Sequence, residues 1–217
     1  MPIPSKPPSK PKFSPGGLQA LEPSALENEA IYRGRVLEDD SLAGRRLASV
    51  SFEGCVFRHM DLRQVNWHRV RCVDVRFEQC DLTGAALHEA SFERVEFIES
   101  RLLGMQSPSV RLRHVRLVQV HAPLSMWVQA DAKHFWAEEC DFEEATFIES
   151  HFPGSMWRGC NLTQANFLNA LLMDADLRGS TLTNTRLGIR ELAGVTVEAV
   201  QLLDLAHLLN VRVVELI

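Results

Sequence analysis

The sequence predicts an all-β solenoid with four short sides to each turn, and three observations lead there. From Cys140 to Leu187 the third place of every five holds a large apolar residue: Phe142, Phe147, Phe152, Trp157, Leu162, Phe167, Leu172, Leu177, Leu182 and Leu187. Two places before each stands a small one: Cys140, Ala145, Ser150, Ser155, Cys160, Ala165, Ala170, Ala175, Ser180 and Thr185. The residues between are often Gly, Asn, Thr, Glu or Gln, which suit corners. A period of five fits neither a helical face nor a plain alternating strand. Residues two apart do point to one side of an extended segment, so each five reads as one side with two inward residues. Stacked turns would then lie about 4.8 Å apart.

Along the chain, residues 1–17 (MPIPSKPPSKPKFSPGG) lack the apolar centre of a secretion signal and read as a disordered Pro/Lys-rich tail. Residues 18–36 read as an N-terminal cap, either a short helix or an irregular cover, because LQALEPSALENEAI is mixed in character. The repeat itself is placed at 37–197. It starts weakly, since Arg35, Asp40 and Arg45 are poor inward residues, and is firm from Val50/Phe52 to Val95/Phe97. Between Met105 and Glu139 the phase survives but the sizes change, with Phe135 in a small place and Ala132 and Ala137 in large ones. A distorted or bulging coil is expected there. The column Leu42, Leu62, Leu82, Leu102, Ala122, Phe142, Leu162, Leu182 implies about eight coils, a rod of roughly 35–40 Å. Residues 198–217 form a separate end: VEAVQLLDLAHLLN has helical spacing through Val200, Leu203 and Leu208, and VRVVELI reads as a strand.

The chain carries 23 Lys and Arg against 28 Asp and Glu, a net charge of −5, which disfavours direct nucleic-acid binding. No apolar run is long enough to span a membrane, and a cytoplasmic location is expected. Cys55, Cys80, Cys140 and Cys160 take small inward places and Cys72 a large one, so all five read as reduced, buried thiols. G-x-S-x-G, Walker and H-E-x-x-H signatures are missing. Neither catalytic residues nor a cofactor are expected, and no metal either. His68/His88 and His114/His134 would stack one turn apart, but no carboxylate or cysteine completes either pair as a metal set.

The outward places offer a candidate partner surface. Glu138, Glu139, Asp141, Glu143, Glu144 and Glu149 follow one another without a basic residue between. Arg69, Arg71, Arg76, Arg94, Arg111, Arg113 and Arg116 make the preceding coils basic. Val128, Ile148 and Leu168 lie one turn apart on one face as an apolar stripe, with Met126, Trp136, Met156, Leu171 and Met173 also apolar. Such a stripe is either a partner surface or is covered by the chain's own ends.

Three of the repeats, CNLTQ at 160–164, ANFLN at 165–169 and ADLRG at 175–179, resemble the pentapeptide-repeat family, whose pattern is small, Asp or Asn, Leu or Phe, polar, Gly. The resemblance implies a right-handed quadrilateral β-helix and gives Asp61, Asp81 and Asp141 a structural role. The helix-and-strand end is similar to the module through which quinolone-resistance members dimerise. It implies a homodimer through Val200, Leu203, Leu208, Val211 and Val213, with a monomeric end cap as the alternative. The implied function is non-enzymatic, a scaffold for protein–protein interaction. A narrower alternative is a DNA-mimicking protein that binds DNA gyrase or topoisomerase and protects against quinolones or toxins. The modest charge, the basic coils and the absence of inserted loops weigh against the narrower form.

Overall fold

The computed structural model describes residues 6–13 and 15–209. Twenty residues complete one turn, and backbone pairing between turns is parallel throughout. On a first face, bridges join Ser41, Asp61, Asp81, Arg101, His121, Asp141, Asn161 and Thr181, eight levels separated by seven turns. A second face carries Arg46, Asn66 and Ala86, then Gln106, Met126, Thr146, Asn166 and Arg186. A third carries Ile31, Ser51, Arg71, Ser91, Arg111, Asp131, His151 and Leu171. A fourth runs from Val36 through Val56, Arg76, Glu96, Arg116, Trp136, Met156 and Asp176 to Thr196. The molecule is a four-sided parallel β-solenoid.

The places two apart point inward as the period requires. The large residues are almost fully buried, and identical ones stack at the strand spacing: Phe57 on Phe77 at 4.8 Å, Phe77 on Phe97 at 4.7 Å, Phe147 on Phe167 at 4.7 Å. Inward polar groups find partners inside. Ser180 and Thr185 hydroxyls donate to the carbonyls of Trp157 and Leu162 in the preceding turn, at 2.8 and 2.9 Å. Trp127 and Trp157 donate their indole N–H to Ser125 and Ser155, two places earlier, at 2.9 and 2.8 Å. Val65 holds that place before Trp67, and the Trp67 N–H has no acceptor among the described residues. The cysteines are free and buried, and burial pushes the Cys80 thiol up to about 12.

The fifth place is a corner with positive φ. Gly44 (67°) and Gly84 (64°) take it easily, but so do Gln64 (55°), Glu139 (52°) and even Leu124 (58°). A left-handed conformation costs a non-glycine residue about 1 kcal/mol or more. The corner N–H donates to the next turn, as Gln64 does to Thr83 O at 2.9 Å and Glu139 to Arg158 O at 2.8 Å, and at some corners the turn also closes, as Ala85 N–H does on Leu82 O at 3.0 Å. The outward Asp or Asn at the second place then caps the same turn: Asp81 and Asn161 accept the N–H two residues on at 2.9 and 3.1 Å. Asp61 and Asp141 do likewise, which is the structural role expected of them.

Over 105–139 the expected distortion does not occur. Arg111–Val118 and Asp131–Glu138 are eight-residue strands that turn the corner between the third and fourth faces at His114 and His134 (φ 56° at each) and keep the register of Ser91–Ile98 on both sides of it. Phe135 is buried against Phe152 and Trp157, both at 5.0 Å, and fills the volume that Ala132 and Ala137 leave. Trp136 takes no part in this compensation; it faces outward and is half-buried.

At the N-terminal end Gln19–Ala20 pairs with Arg35 and Val36. Pro23–Ala25 is a 3₁₀ turn, and Leu26 closes the core beneath it. Arg45 stands in an inward place because its guanidinium donates to the Pro23 and Leu26 carbonyls at 2.8 and 2.5 Å. At the other end the helix Gln201–Leu205 continues as a 3₁₀ turn at Ala206–Leu209. Its inward residues are Gln201 and Leu205, with Leu208 partly packed on the core. Val200 and Leu203, which set the predicted helical spacing, point to solvent. The reason is polar: the last turn leaves carbonyls without a following strand, and the Gln201 amide donates to Leu177 O and Ser180 O at 2.8 and 2.6 Å. The predicted strand at 211–217 lies outside the described residues.

Two substitutions separate the inner from the outer contribution. Phe147→Ala should destabilise by about 3–5 kcal/mol, since it empties a buried aromatic site, whereas Leu124→Asn should stabilise by about 1 kcal/mol by relieving the corner. Thermal unfolding followed by circular dichroism checks both, and a loss of stability in the second would overturn the account of the corner.

Candidate interaction surface

The acidic run does not form one face. Twelve residues cover more than half a turn, so Glu138 lies on the fourth face, Glu139 on the corner after it, and Asp141 and Glu143 on the first face. Glu144 and Glu149 occupy the two corners that bound the second face. Four of these carboxylates are engaged from neighbouring turns. Arg116 holds Glu138 at 2.7 Å, Gln119 donates to Glu139 at 2.9 Å, and Gln129 donates to Glu149 at 3.0 Å. Asp141 meets His121 Nδ1 at 3.0 Å and receives Asn161 Nδ2 at 3.0 Å. Glu143 and Glu144 are exposed and pair with no described side chain.

The basic coils are neutralised in the same axial way. Arg76 meets Glu96 at 2.9 Å and Glu78 at 3.2 Å, Arg94 meets Asp74 at 2.7 Å, and Arg113 pairs with Asp131. Arg58 bridges Glu38 and Glu78 at 2.7 and 2.9 Å. The arginine band read from the sequence is therefore largely a set of rungs between turns.

Val128, Ile148 and Leu168 do line up on the second face. Val128 and Ile148 are half-buried and Leu168 is 44 % exposed. Met126 lies beside them and is exposed, whereas Met156 is buried against the fourth face. Leu171 and Met173, at 61 and 64 % exposure, extend the apolar character around the next corner, and Ile189 adds to it at 63 %. Neither end of the chain covers this surface among the described residues. The tail lies on the corner between the third and fourth faces, and the helix Gln201–Leu205 sits over the last turn. Of the candidate dimerisation residues, Val200 and Leu203 are 67 and 61 % exposed and Leu208 is partly buried. Val211 and Val213 lie outside the described residues.

No cluster suited to catalysis comes together among the described residues. A depression of 450 Å³ lined by Ala43, Arg63, Gln64, Thr83 and Gly84 offers no carboxylate, imidazole or thiol. Glu38, Asp39 and His59 do converge on the fourth-to-first corner, a grouping hidden in the sequence because His59 lies one turn away. Its hydrogen bonds account for it: His59 Nδ1 meets Asp39 at 2.9 Å, His59 Nε2 meets Gln79 at 2.7 Å, and Glu38 belongs to Arg58. His114 and His134 stack with ring centres 4.4 Å apart, as their spacing predicts. No described helix is long and apolar enough to cross a membrane.

The sequence model described as "Pentapeptide repeats" matches 8 copies in this chain, over residues 71–104 and 158–188. Over these residues the five-residue unit of the solenoid matches the pentapeptide repeat. No curated protein sequence matches the chain. Among solved structures it is similar to HetL, a pentapeptide repeat protein involved in heterocyst differentiation regulation from the cyanobacterium Nostoc sp. strain PCC 7120. The two share 18 % identity over 77 % of this chain and 85 % of that one, with a TM-score of 0.45. It is also similar to trypsin-treated QnrB1, a plasmid-mediated fluoroquinolone resistance protein, with 18 % identity over 87 % of this chain and 100 % of that one and a TM-score of 0.47.

The ion pairs formed within one side of a turn should register in acid. The Arg63 guanidinium beside Asp61 holds that carboxyl at about 2, below its ordinary 3.8, and Arg178 lowers Asp176 in the same way. Carboxyls depressed by folding stabilise the native state above 3.8 and lose that contribution as pH falls toward 2. The melting temperature should therefore drop across this window, and by less in Asp61→Asn. An equal drop in the variant would remove Asp61 from the explanation.

Proposed function

We propose that this pentapeptide-repeat chain is a non-enzymatic interaction protein that docks a partner protein on its second face. The observation that carries the reading is the uncovered column Val128, Ile148 and Leu168 between the acidic corners Glu144 and Glu149. A flat β-face needs no induced fit to present a continuous apolar strip, and burying such a strip would supply the affinity. The flanking carboxylates select a partner with an apolar ridge edged by Lys or Arg, and they speed its encounter. A photo-crosslinking residue at Leu168 should yield a discrete adduct in cells that Ile148→Glu abolishes, with the same probe at Arg33 on the third face as control. Equal adducts at both positions would refute this assignment.

A duplex-DNA mimic would need closely spaced, continuous charge along one side, since DNA carries one charge per about 1.7 Å of axis. Here the acidic residues are spread around the coil and several are neutralised, which favours the general interaction reading over gyrase binding. A gyrase supercoiling assay should show no inhibition by the chain, with or without a quinolone; inhibition sensitive to Glu143→Lys and Glu144→Lys would reverse that preference. Self-association through the C-terminal end is part of the same reading, because Val200 and Leu203 stand exposed on the helix that closes the rod. The wild-type chain should sediment as a dimer and the doubly substituted Val200→Glu, Leu203→Glu chain as a monomer. A monomeric wild type would exclude the dimer.

A further inference from the structure

The N-terminal segment follows one corner of the rod. The Lys12 N–H donates to Asp74 Oδ1 at 2.9 Å, and the Ser9 N–H donates to His114 Nδ1 at 3.2 Å. Phe13 lies over the Arg76 guanidinium at 5.3 Å, a cation–π contact. Pro8, Pro11 and Phe13 are half-buried on the rod, whereas Lys6, Ser9, Lys10 and Lys12 are exposed. Asp74 and His114 occupy the same corner two turns apart, so three residues of tail span two strand spacings. Two spacings are about 9.6 Å, and three residues of polyproline II rise about 9.3 Å. The match brings the N–H groups of Ser9 and Lys12, three residues apart, to the corner column, the repeat of a polyproline II helix. Pro7, Pro8 and Pro11 hold φ near the value this conformation needs.

The corner itself differs from the other three. Asp74, Arg94, His114 and His134 are all half-buried, while corner residues such as Glu89, Gln119, Gln129 and Glu149 are exposed. It is also where the eight-residue strands continue the pairing on both sides of the corner. The column presents acceptors in line: the Asp74 carboxylate, oriented by Arg94 at 2.7 and 2.9 Å, and then the His114 ring, stacked on His134. Along the flank of this corner stands Trp136, whose indole N–H is buried with no acceptor among the described residues. An indole N–H beside an extended, proline-rich strand is suited to donate to one of its carbonyls.

We propose that the corner column Asp74, Arg94, His114, His134 is a docking groove for a proline- and lysine-rich polyproline II segment, and that this chain's own residues 6–13 occupy it in cis. The tail is thereby a competitive cover: a similar segment from elsewhere reaches the groove only when residues 6–13 leave it. The Ser9 contact requires neutral His114, because only an unprotonated Nδ1 can accept. Burial, His134, Arg94 and Lys6 all disfavour charge on that ring, against the single opposing carboxylate of Glu93, and hold it below its ordinary 6.5. A histidine kept neutral in the docked state supports docking above 6.5 and withdraws that support as pH falls.

Ser9→Pro and Lys12→Pro together remove both donating N–H groups, keep the segment in polyproline II and leave the solenoid untouched. A fluorescein-labelled peptide of residues 1–13 should bind this full-length double variant at least about tenfold more tightly than it binds the wild type, whose groove is filled. In the wild type, the Ser9 and Lys12 amides should exchange at least about tenfold more slowly than in the free peptide, independent of protein concentration. Protection at Ser9, but not at Lys12, should fall on acidification from pH 7.5 to 5. Failure of the peptide to prefer the variant, or exchange at Ser9 and Lys12 as fast as in the peptide, would overturn the proposal.

Discussion

The N–H of Leu62 donates to Asp81 O at 2.7 Å, while the N–H of Asp61 takes Asp40 O at 2.9 Å. This bonding, one turn up and one turn down, recurs on all four faces and fixes a step of twenty residues. Once the step is fixed, each side chain has the same neighbours above and below. Inward, that alignment stacks phenylalanines at the strand spacing. Outward, it turns scattered charges into rungs such as Arg58 between Glu38 and Glu78. An insertion of one residue would shift every later inward place outward, which explains why the phase survives even where side-chain sizes do not.

The corners are where the chain bears the cost of this regularity. A positive φ is required at every fifth residue, and glycine fills only some of these places. The others are tolerated because a ladder bond to the next turn holds them, joined at some corners by a closed turn. The corner from Asp74 to His134 has the same positive φ, but strand pairing continues on both sides of it. It is also the corner that the N-terminal segment follows. The most continuous strand pairing among the described residues therefore coincides with a stretch of surface that the chain covers with itself.

The inner architecture was legible in the sequence because burial imposes a size rule at fixed places. The pairs from Val50/Phe52 to Thr185/Leu187 stand inward as their spacing demands. Between 105 and 139 the size rule weakens, and reading sizes alone suggested distortion. Backbone bonding is indifferent to side-chain size, however, and Phe135 makes good the volume lost at Ala132 and Ala137. Val128, Ile148 and Leu168 were equally legible as a column, since one turn is a fixed count of residues. The acidic run was misleading for the same geometric reason: neighbours in sequence point in successive directions around a square coil.

By itself the sequence determined the class of the fold, its step, its inward residues and which outward residues share a column, all of which follow from periodicity. Only the tertiary structure decided which charges are satisfied, since a rung such as Arg116–Glu138 joins residues whose side chains could have turned to water. It also decided that Gln201 and not Val200 faces the open end, because unpaired carbonyls there need a donor more than the core needs another apolar group. And it placed the proline-rich tail against one corner, a choice set by the match between polyproline rise and strand spacing that no local pattern displays.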